Sequence, residues 1–207
     1  GTAEAIGGAM VSVYDGAGEI QLTEVPDNPG LYRSVTPFTA VAGVHYRLAV
    51  AFEGYADTAW AEMTGVEPLD NPDIVPSDSL YRLGYHNTSH ASMTEVVYDW
   101  STVPEFVAEY GASRAGEVFY TLDNIDPGKE FAPERKQILF PAQTTLTRRR
   151  YSLSAEHQAF IRALLLETDW RGGFFDAEPG NIPTNFSHGV RGWFAACSVV
   201  SDTFTAE

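Results

Sequence analysis

A β-strand pattern is clearest in the sequence Val44-His-Tyr-Arg-Leu-Ala-Val-Ala-Phe52. Its apolar side chains recur at every second position, which is typical of a strand with two chemically different faces. Gly54 ends the run. One face of this predicted strand carries Val44, Tyr46, Leu48, Val50 and Phe52, and the other carries His45, Arg47, Ala49 and Ala51.

Shorter alternating segments lie on both sides of this strand and are separated by turn signals. The sequences Asp15-Gly-Ala-Gly18 and Pro26-Asp-Asn-Pro-Gly30 contain residues that tolerate the backbone angles of tight turns. Five short strands at this spacing favour a small antiparallel β-sandwich, transthyretin-like or immunoglobulin-like, over residues 1–69. The four further strands are predicted at residues 9–14, 20–22, 31–35 and 58–64.

A proline-rich connector follows the predicted sandwich. Residues 66–79 include Pro68, Pro72 and Pro76, and proline lacks the backbone N–H that a strand ladder requires. We therefore predict a connector rather than a strand here, with a domain boundary near residue 70. The second predicted domain covers residues 70–207.

The second domain is predicted to be β-rich with one packed α-helix. Ser154 is a good N-cap, and Glu156 suits the first turn of a helix near residues 154–169. The helix carries Phe160, Ile161, Leu164 and Leu165 at helical spacing. Strand-like segments are predicted at residues 81–85, 96–100, 118–122, 138–140, 144–153 and 192–204. The expected fold class is therefore mainly β.

The composition excludes several classes of protein. The 207 residues include 13 Lys+Arg and 28 Asp+Glu, which gives a formal net charge of -15. Nucleic-acid binders carry a basic patch or stripe, so this charge argues against them. The single cysteine, Cys197, excludes a disulfide scaffold and an all-cysteine metal cluster, and we interpret it as a small core residue.

A search for catalytic and metal-binding motifs gives no assignment. The sequence Gly111-Ala-Ser-Arg-Ala-Gly116 has one residue too many for a nucleophile elbow. His86 and His90 are four residues apart but lack a third zinc ligand nearby. The oxygen-rich segment 123–130 leaves a calcium site open as an alternative to a simple turn. The sequence therefore assigns no catalytic residue, no cofactor and no metal ligand.

The triplet Arg148, Arg149 and Arg150 is a basic feature in an acidic protein. Adjacent strand residues point to opposite faces, so Arg148 and Arg150 are expected to share one face and Arg149 to occupy the other. One interpretation is a solvated edge strand whose charges prevent aggregation. The alternative is contact with an acidic partner or a lipid phosphate.

Trp60 is the candidate for an exposed aromatic ring. It lies opposite the small apolar face formed by Ala59, Ala61 and Met63 in its predicted strand. Exposed aromatic rings bind sugars in carbohydrate-binding sandwiches, although core packing is the more common use of aromatic residues. Trp60 and the three arginines are therefore the predicted partner or ligand contacts.

Two segments together resemble a known family. The first contains Gly30-Leu-Tyr32, then Gly43-Val-His-Tyr-Arg-Leu48, then Tyr55-Ala-Asp-Thr58. The second, here called the closing segment, runs from Phe174 to Phe194 and includes Pro179, Asn181, Pro183, Asn185, Gly189 and Gly192. With the predicted helix just before the closing segment, this order resembles the DUF4249 family of Bacteroidetes-type envelope proteins.

The resemblance implies a location rather than a reaction. Such proteins are lipid-anchored, face the periplasm or the cell surface, and are associated with TonB-dependent outer-membrane transporters. The lipoprotein signal and the acylated cysteine of the family are not in this chain, so we expect them upstream of Gly1. No catalytic residue is transferred, because the family has no known function. Within this chain we interpret the closing segment as a corner that seats the last strand, with a ligand site as the alternative.

Three functional hypotheses follow. The first is a non-enzymatic accessory or binding lipoprotein of the cell envelope that works with an outer-membrane transporter. The second is a carbohydrate-binding module that uses Trp60 and neighbouring tyrosines to bind a glycan or another small molecule. The third is a hydrolase with dispersed carboxylates or a bound metal.

Overall fold

A computed structural model describes residues 4–85, 88–122, 137–168, 182–188 and 190–207. The mainly β fold class is confirmed, since three antiparallel sheets and two helices account for the regular structure of these residues. The elements are β1 (Met10–Tyr14), β2 (Glu19–Glu24), β3 (Tyr32–Ser34), β4 (His45–Phe52), β5 (Tyr55–Glu62), β6 (Ile74–Ser77), β7 (Leu80–Leu83), β8 (Ser92–Asp99), α1 (Pro104–Tyr110), β9 (Arg114–Thr121), β10 (Thr145–Ser152), α2 (Ala155–Glu167) and β11 (Val199–Thr205).

The chain divides into two compact units made of interleaved segments. The first unit contains residues 1–65, 154–164 and 179–198, and the second contains residues 66–153, 165–178 and 199–207. The first unit therefore combines the beginning of the chain with two later segments, and the second combines a central stretch with the last residues.

The first unit is built on a five-stranded sheet with the order β3-β2-β1-β4-β5. The alternating sequence at residues 44–52 forms β4, which lies between β1 and β5. Val13, Tyr46 and Met63 form the buried core on one face, and Phe194 and Ala196 pack against them. The Val41 N–H donates to the buried Tyr46 hydroxyl over 2.6 Å, which ties the loop before β4 to this core.

The second unit is built on a four-stranded sheet with the order β11-β10-β8-β9. Its inner face is apolar at one end, where Tyr98, Trp100, Phe140 and Leu146 have no exposed surface. A separate two-stranded sheet pairs β6 with β7. The backbone of Tyr81 in β7 exchanges two hydrogen bonds with Phe140, which brings this small sheet to the same core.

Helix α1 was not predicted from the sequence. Proline at the first position suits a helix start, and Gly111 ends the helix with φ 80°, a left-handed angle that glycine adopts without strain. The helix has seven residues, and its aromatic side chains contact Trp100, which lies only a few positions earlier in the chain. Phe106 and Tyr110 stack against each other at 5.7 Å and both meet Trp100 edge to face.

Two predicted boundaries were wrong. The proline-rich connector contains strand β6, because Pro76 lies in a two-stranded sheet where a missing N–H can face away from the partner strand. The predicted strand over 192–204 is regular only from Val199. Before it, Gly192 has φ 149°, and the N–H of Phe194 bonds to a side chain instead of a strand ladder.

Helix α2 confirms the predicted helix near residues 154–169. It runs from Ala155 to Glu167, and the Ser154 hydroxyl accepts a hydrogen bond from the His157 N–H over 3.3 Å. This is the N-cap geometry that satisfies one of the free donors at a helix start.

We predict that Trp100→Ala lowers the free energy of unfolding by about 3–5 kcal/mol, because it empties a fully buried site. It also removes the bond from the indole N–H to the Ala112 carbonyl, 2.7 Å in length. Denaturant unfolding followed by circular dichroism measures the change. The matched control is Val118→Ala in the neighbouring strand β9, where the side chain is exposed. Equal effects of the two substitutions would contradict the packing described here.

Candidate functional site

Trp60 lies on the face of the first sheet that is opposite the core. Its side chain is 53% exposed. The strand register places Arg47 of β4 directly beside Trp60, and Tyr14 of β1 directly beside Arg47. We call Tyr14, Arg47 and Trp60 the aromatic row. It crosses three neighbouring strands at one level of the sheet.

The guanidinium group of Arg47 lies between the two rings of the aromatic row. Its central carbon is 5.4 Å from the Tyr14 ring centroid and 5.7 Å from the Trp60 ring centroid. Both distances fall within the range of cation–π interactions. The Arg47 Nε is buried without a hydrogen-bond partner. Across the described part of the chain, Arg47 also has no carboxylate within ion-pair distance.

Small side chains continue this face on one side of the aromatic row. The next level of the sheet contains Ser12, Ala49 and Thr58, and the level after it contains Ala51 and Ala56 together with the larger, exposed Met10. Large rings beside small side chains form a step on an otherwise flat sheet face. Such a step can support a flat molecule against the exposed edge and face of Trp60.

The backbone of Trp60 is held by Asn185 from the closing segment. The Asn185 side-chain amide donates to the Trp60 carbonyl over 2.8 Å and to the Phe194 carbonyl over 2.7 Å. Its oxygen accepts from the Phe194 N–H over 2.9 Å. One side chain thus joins strand β5 to two parts of the closing segment.

Asp57 makes the second attachment between β5 and the closing segment. Its carboxylate is buried and accepts hydrogen bonds from the Ser187 hydroxyl at 2.7 Å, the Tyr55 hydroxyl at 2.9 Å and the Thr58 N–H at 2.7 Å. The Ser187 and His188 N–H groups also donate to it. Burial by itself raises the pKa of Asp57, but these hydrogen bonds outweigh burial and hold the pKa well below its usual range.

These contacts favour the structural interpretation of the closing segment. Asn185 bonds to backbone groups, and Asp57 bonds to backbone and side-chain groups, all within the same unit; Phe186 also forms a β-bridge with Ala59. Gly192 has a positive φ that a larger residue would adopt only with strain. The predicted positions Pro179, Asn181 and Gly189 lie outside the described residues.

We predict that Asp57→Asn destabilises the first unit more at neutral pH than in acid. The folded-state pKa lies below the ordinary value of 3.8, so the stabilisation by the ionised carboxylate is complete above about pH 5 and decreases as the pH falls through 3.8. Urea unfolding near pH 7 and near pH 3 measures the difference from the wild type. Glu4→Gln, an exposed position, controls for the loss of one negative charge. A difference that does not change with pH would contradict the role given to Asp57.

The three arginines lie on β10, which is not an edge strand. It pairs with β8 on one side and β11 on the other, so the interpretation as a solvated edge strand is wrong. The predicted alternation is observed, since Arg148 and Arg150 are buried on the inner face. Arg149 points to the other face, where its side chain is 43% exposed.

Arg148 and Arg150 hold residues 68–70 against the sheet of the second unit. Arg148 pairs with the Asp202 carboxylate and donates to the Asp70 carbonyl over 2.8 Å. Arg150 donates to the Pro68 carbonyl and lies 3.8 Å from the Asp70 carboxylate. These contacts are internal, so of the triplet only Arg149 presents a substantially exposed side chain. It pairs with Glu95 over 2.9 Å, and this hydrogen bond raises the pKa of Arg149.

We predict that Arg148→Ser lowers the free energy of unfolding by about 3 kcal/mol, because it leaves Asp202 without its partner beside a buried site. Arg149→Ser is the matched control on the same strand and is expected to change stability little, since its ion pair is exposed to solvent. Denaturant unfolding of the two variants makes the comparison. Equal stability of both variants would contradict the internal role of Arg148.

The described residues contain no metal-binding cluster and no nucleophile elbow. They include no group of three or more His, Cys, Asp or Glu side chains that could hold a metal ion. Ser113 lies between helix α1 and strand β9, which is the reverse of the strand-to-helix order of an elbow. His90 contacts Glu67. His86 and the oxygen-rich segment 123–130 lie outside the described residues.

Cys197 and His157 lie close together but lack the electrostatics of a catalytic pair. The Cys197 sulfur is 3.8 Å from His157 Nδ1. Burial lowers the pKa of His157 and raises the pKa of the Cys197 thiol, so both groups are neutral near pH 7. A nucleophilic cysteine instead requires a lowered pKa, so we interpret this contact as packing.

The sequence pattern did not identify Tyr14 and Arg47 as neighbours of Trp60. The alternation in residues 44–52 already placed Arg47 on the polar face of β4. What it lacked was the register between strands, which decides the neighbour of each side chain.

Comparison with known proteins gives one match. A family model with the description "Domain of unknown function (DUF4249)" matches residues 1–203 of the 207-residue chain. No curated protein and no solved structure matches the chain. None of the helices among the described residues has the length and apolar character needed to cross a membrane.

Proposed function

This chain belongs to the DUF4249 family, and we propose that it is a non-enzymatic binding protein of the cell envelope that works beside a TonB-dependent outer-membrane transporter. In this proposal the mature protein is held at the outer membrane by a lipid anchor and faces the periplasm or the cell surface. Its contribution is to hold a ligand or a partner, not to transform it.

The observation that carries the binding role is the aromatic row. The row places a half-exposed tryptophan beside an arginine that has no carboxylate partner among the described residues, on a chain with a formal net charge of -15. Such groups gain free energy when a partner covers them, since aromatic and arginine side chains dominate many binding sites. The envelope location rests on the resemblance of the two motif segments.

A second candidate function is carbohydrate binding, and the position of Trp60 favours it. Sugar rings present flat C–H faces that pack on aromatic rings, and their hydroxyl groups bond to nearby polar side chains. The Trp60 ring of the aromatic row is exposed on a sheet face, which suits a chain-like ligand. This candidate is compatible with the envelope role, because a binding protein at the cell surface can hold a glycan for a transporter.

We predict that a photo-crosslinking amino acid at position 60 of the full-length precursor, expressed in its native host, captures a TonB-dependent transporter in the outer-membrane fraction. The same residue at position 118, exposed on the other unit, is the matched control. Mass spectrometry of the crosslinked bands identifies the partner. Metabolic labelling with a palmitate analogue tests separately whether the precursor receives a lipid anchor.

Two outcomes would overturn the envelope proposal. One is recovery of the precursor in the cytoplasm without the lipid label. The other is equal capture of the same proteins from positions 60 and 118, which would show that capture reflects abundance and not a binding surface.

A further inference from the structure

We infer that the aromatic row binds an acidic saccharide, with a sugar ring over Trp60 and a uronate carboxylate on Arg47. The inference rests on the binding role proposed above and adds the chemical class of the ligand. It combines three properties of the row, namely its exposed ring, a cation that has no carboxylate partner in the part of the chain that the structure describes, and the small side chains beside it.

The exposed ring provides the stacking surface. Trp60 keeps half of its surface in solvent although Arg47 lies over it. Neighbouring strands are about 4.8 Å apart, so the row from Tyr14 to Trp60 spans about 10 Å, the scale of a short saccharide. Asn185 fixes the Trp60 backbone, so the ring is presented from a rigid strand.

The charge of Arg47 indicates an acidic ligand. Arg114 bonds to Asp99 and Arg149 to Glu95, whereas the exposed Arg33 and Arg191 have no carboxylate within ion-pair distance among the described residues. Arg47 also has none among these residues, and it differs from Arg33 and Arg191 because it lies over two aromatic rings with its Nε buried without a partner. A guanidinium group binds a carboxylate through two parallel hydrogen bonds, so one carboxylate per site matches a single arginine. A phosphate polyanion generally requires several cations, and the row contains only one.

The surroundings define the side of the row on which the ligand lies. Glu62 follows Trp60 on the same face of β5, and His45 lies opposite it in the register. Glu19 lies opposite Tyr14 from β2. These carboxylates disfavour an anion at the Glu62 side and at the Tyr14 end of the row. The other side, with Ser12, Ala49 and Thr58, consists of small uncharged side chains. Ser12 is buried, and the Thr58 hydroxyl contacts the Ser187 hydroxyl at 3.2 Å.

The experiment is isothermal titration of the purified chain with oligogalacturonate, and with a neutral oligogalactan of equal length as the matched ligand. We expect oligogalacturonate to bind more tightly than the neutral oligomer, and its affinity to decrease at higher salt. Trp60→Ala and Arg47→Gln should each weaken oligogalacturonate binding by about tenfold or more. Arg114→Gln and Val118→Ala, on the other unit, should leave it unchanged.

Milder variants keep the test valid if either substitution impairs folding. Arg47→Lys retains the charge but not the planar group, and Trp60→Phe retains a smaller ring, so both should bind with intermediate affinity. Circular dichroism establishes that each variant is folded. For a folded protein, weakened binding by these variants supports the site, and unchanged binding contradicts it.

Three outcomes would overturn the inference. Equal affinity for both oligomers, with no effect of Arg47→Gln, would remove the acidic class and leave a neutral glycan site. Binding of an acidic peptide such as oligoglutamate in place of either saccharide would show a protein-docking surface. No binding of any probe would remove the ligand site, while the crosslinking experiment separately decides the envelope role.

Discussion

The buried carboxylate of Asp57 is the constraint on which the first unit depends. An ionised group out of contact with water is stable only when donors surround it, and one strand cannot provide enough of them. The additional donors come from Ser187 and His188, 130 and 131 residues further along the chain. The closing segment must therefore return to β5, where Phe186 bridges to Ala59.

The second unit also contains buried charged groups that need hydrogen-bond partners, and here they are cations. Arg148 and Arg150 project from a central strand toward the inside, where apolar side chains would be expected. Their donors are directed at Asp202 and at carbonyl groups of residues 68–70, so an irregular segment is held by the sheet. In both units, a buried charged side chain therefore binds a segment that is distant in the sequence. This explains why polar positions, as well as apolar ones, determine the fold.

Local patterns predicted the elements whose sequence signal is local. The alternation in residues 44–52 and the Ser154 cap correspond to β4 and α2, because each signal lies within or directly beside the element that it predicts. Helix α1 and strand β6 were missed for the opposite reason. Phe106 and Tyr110 form a helix face only in contact with Trp100, and Pro76 fits a strand only because its sheet has two strands. Residue propensities do not include such contacts with residues outside the element, so they could not predict α1 or β6.

In the candidate site, too, one feature could be predicted from the local sequence and another depended on contacts between strands. In β5, Asp57 and Ala59 point inward, whereas Thr58 and Trp60 point to the other face, where the Thr58 hydroxyl also contacts Ser187. The period of two thus places the buried Asp57 carboxylate and the exposed Trp60 ring on opposite faces within a few residues. Sequence alone indicated that Trp60 faces away from the small apolar side chains. Its pairing with Arg47 follows from the register, and the register is fixed by the whole sheet that Asp57 helps to hold in place.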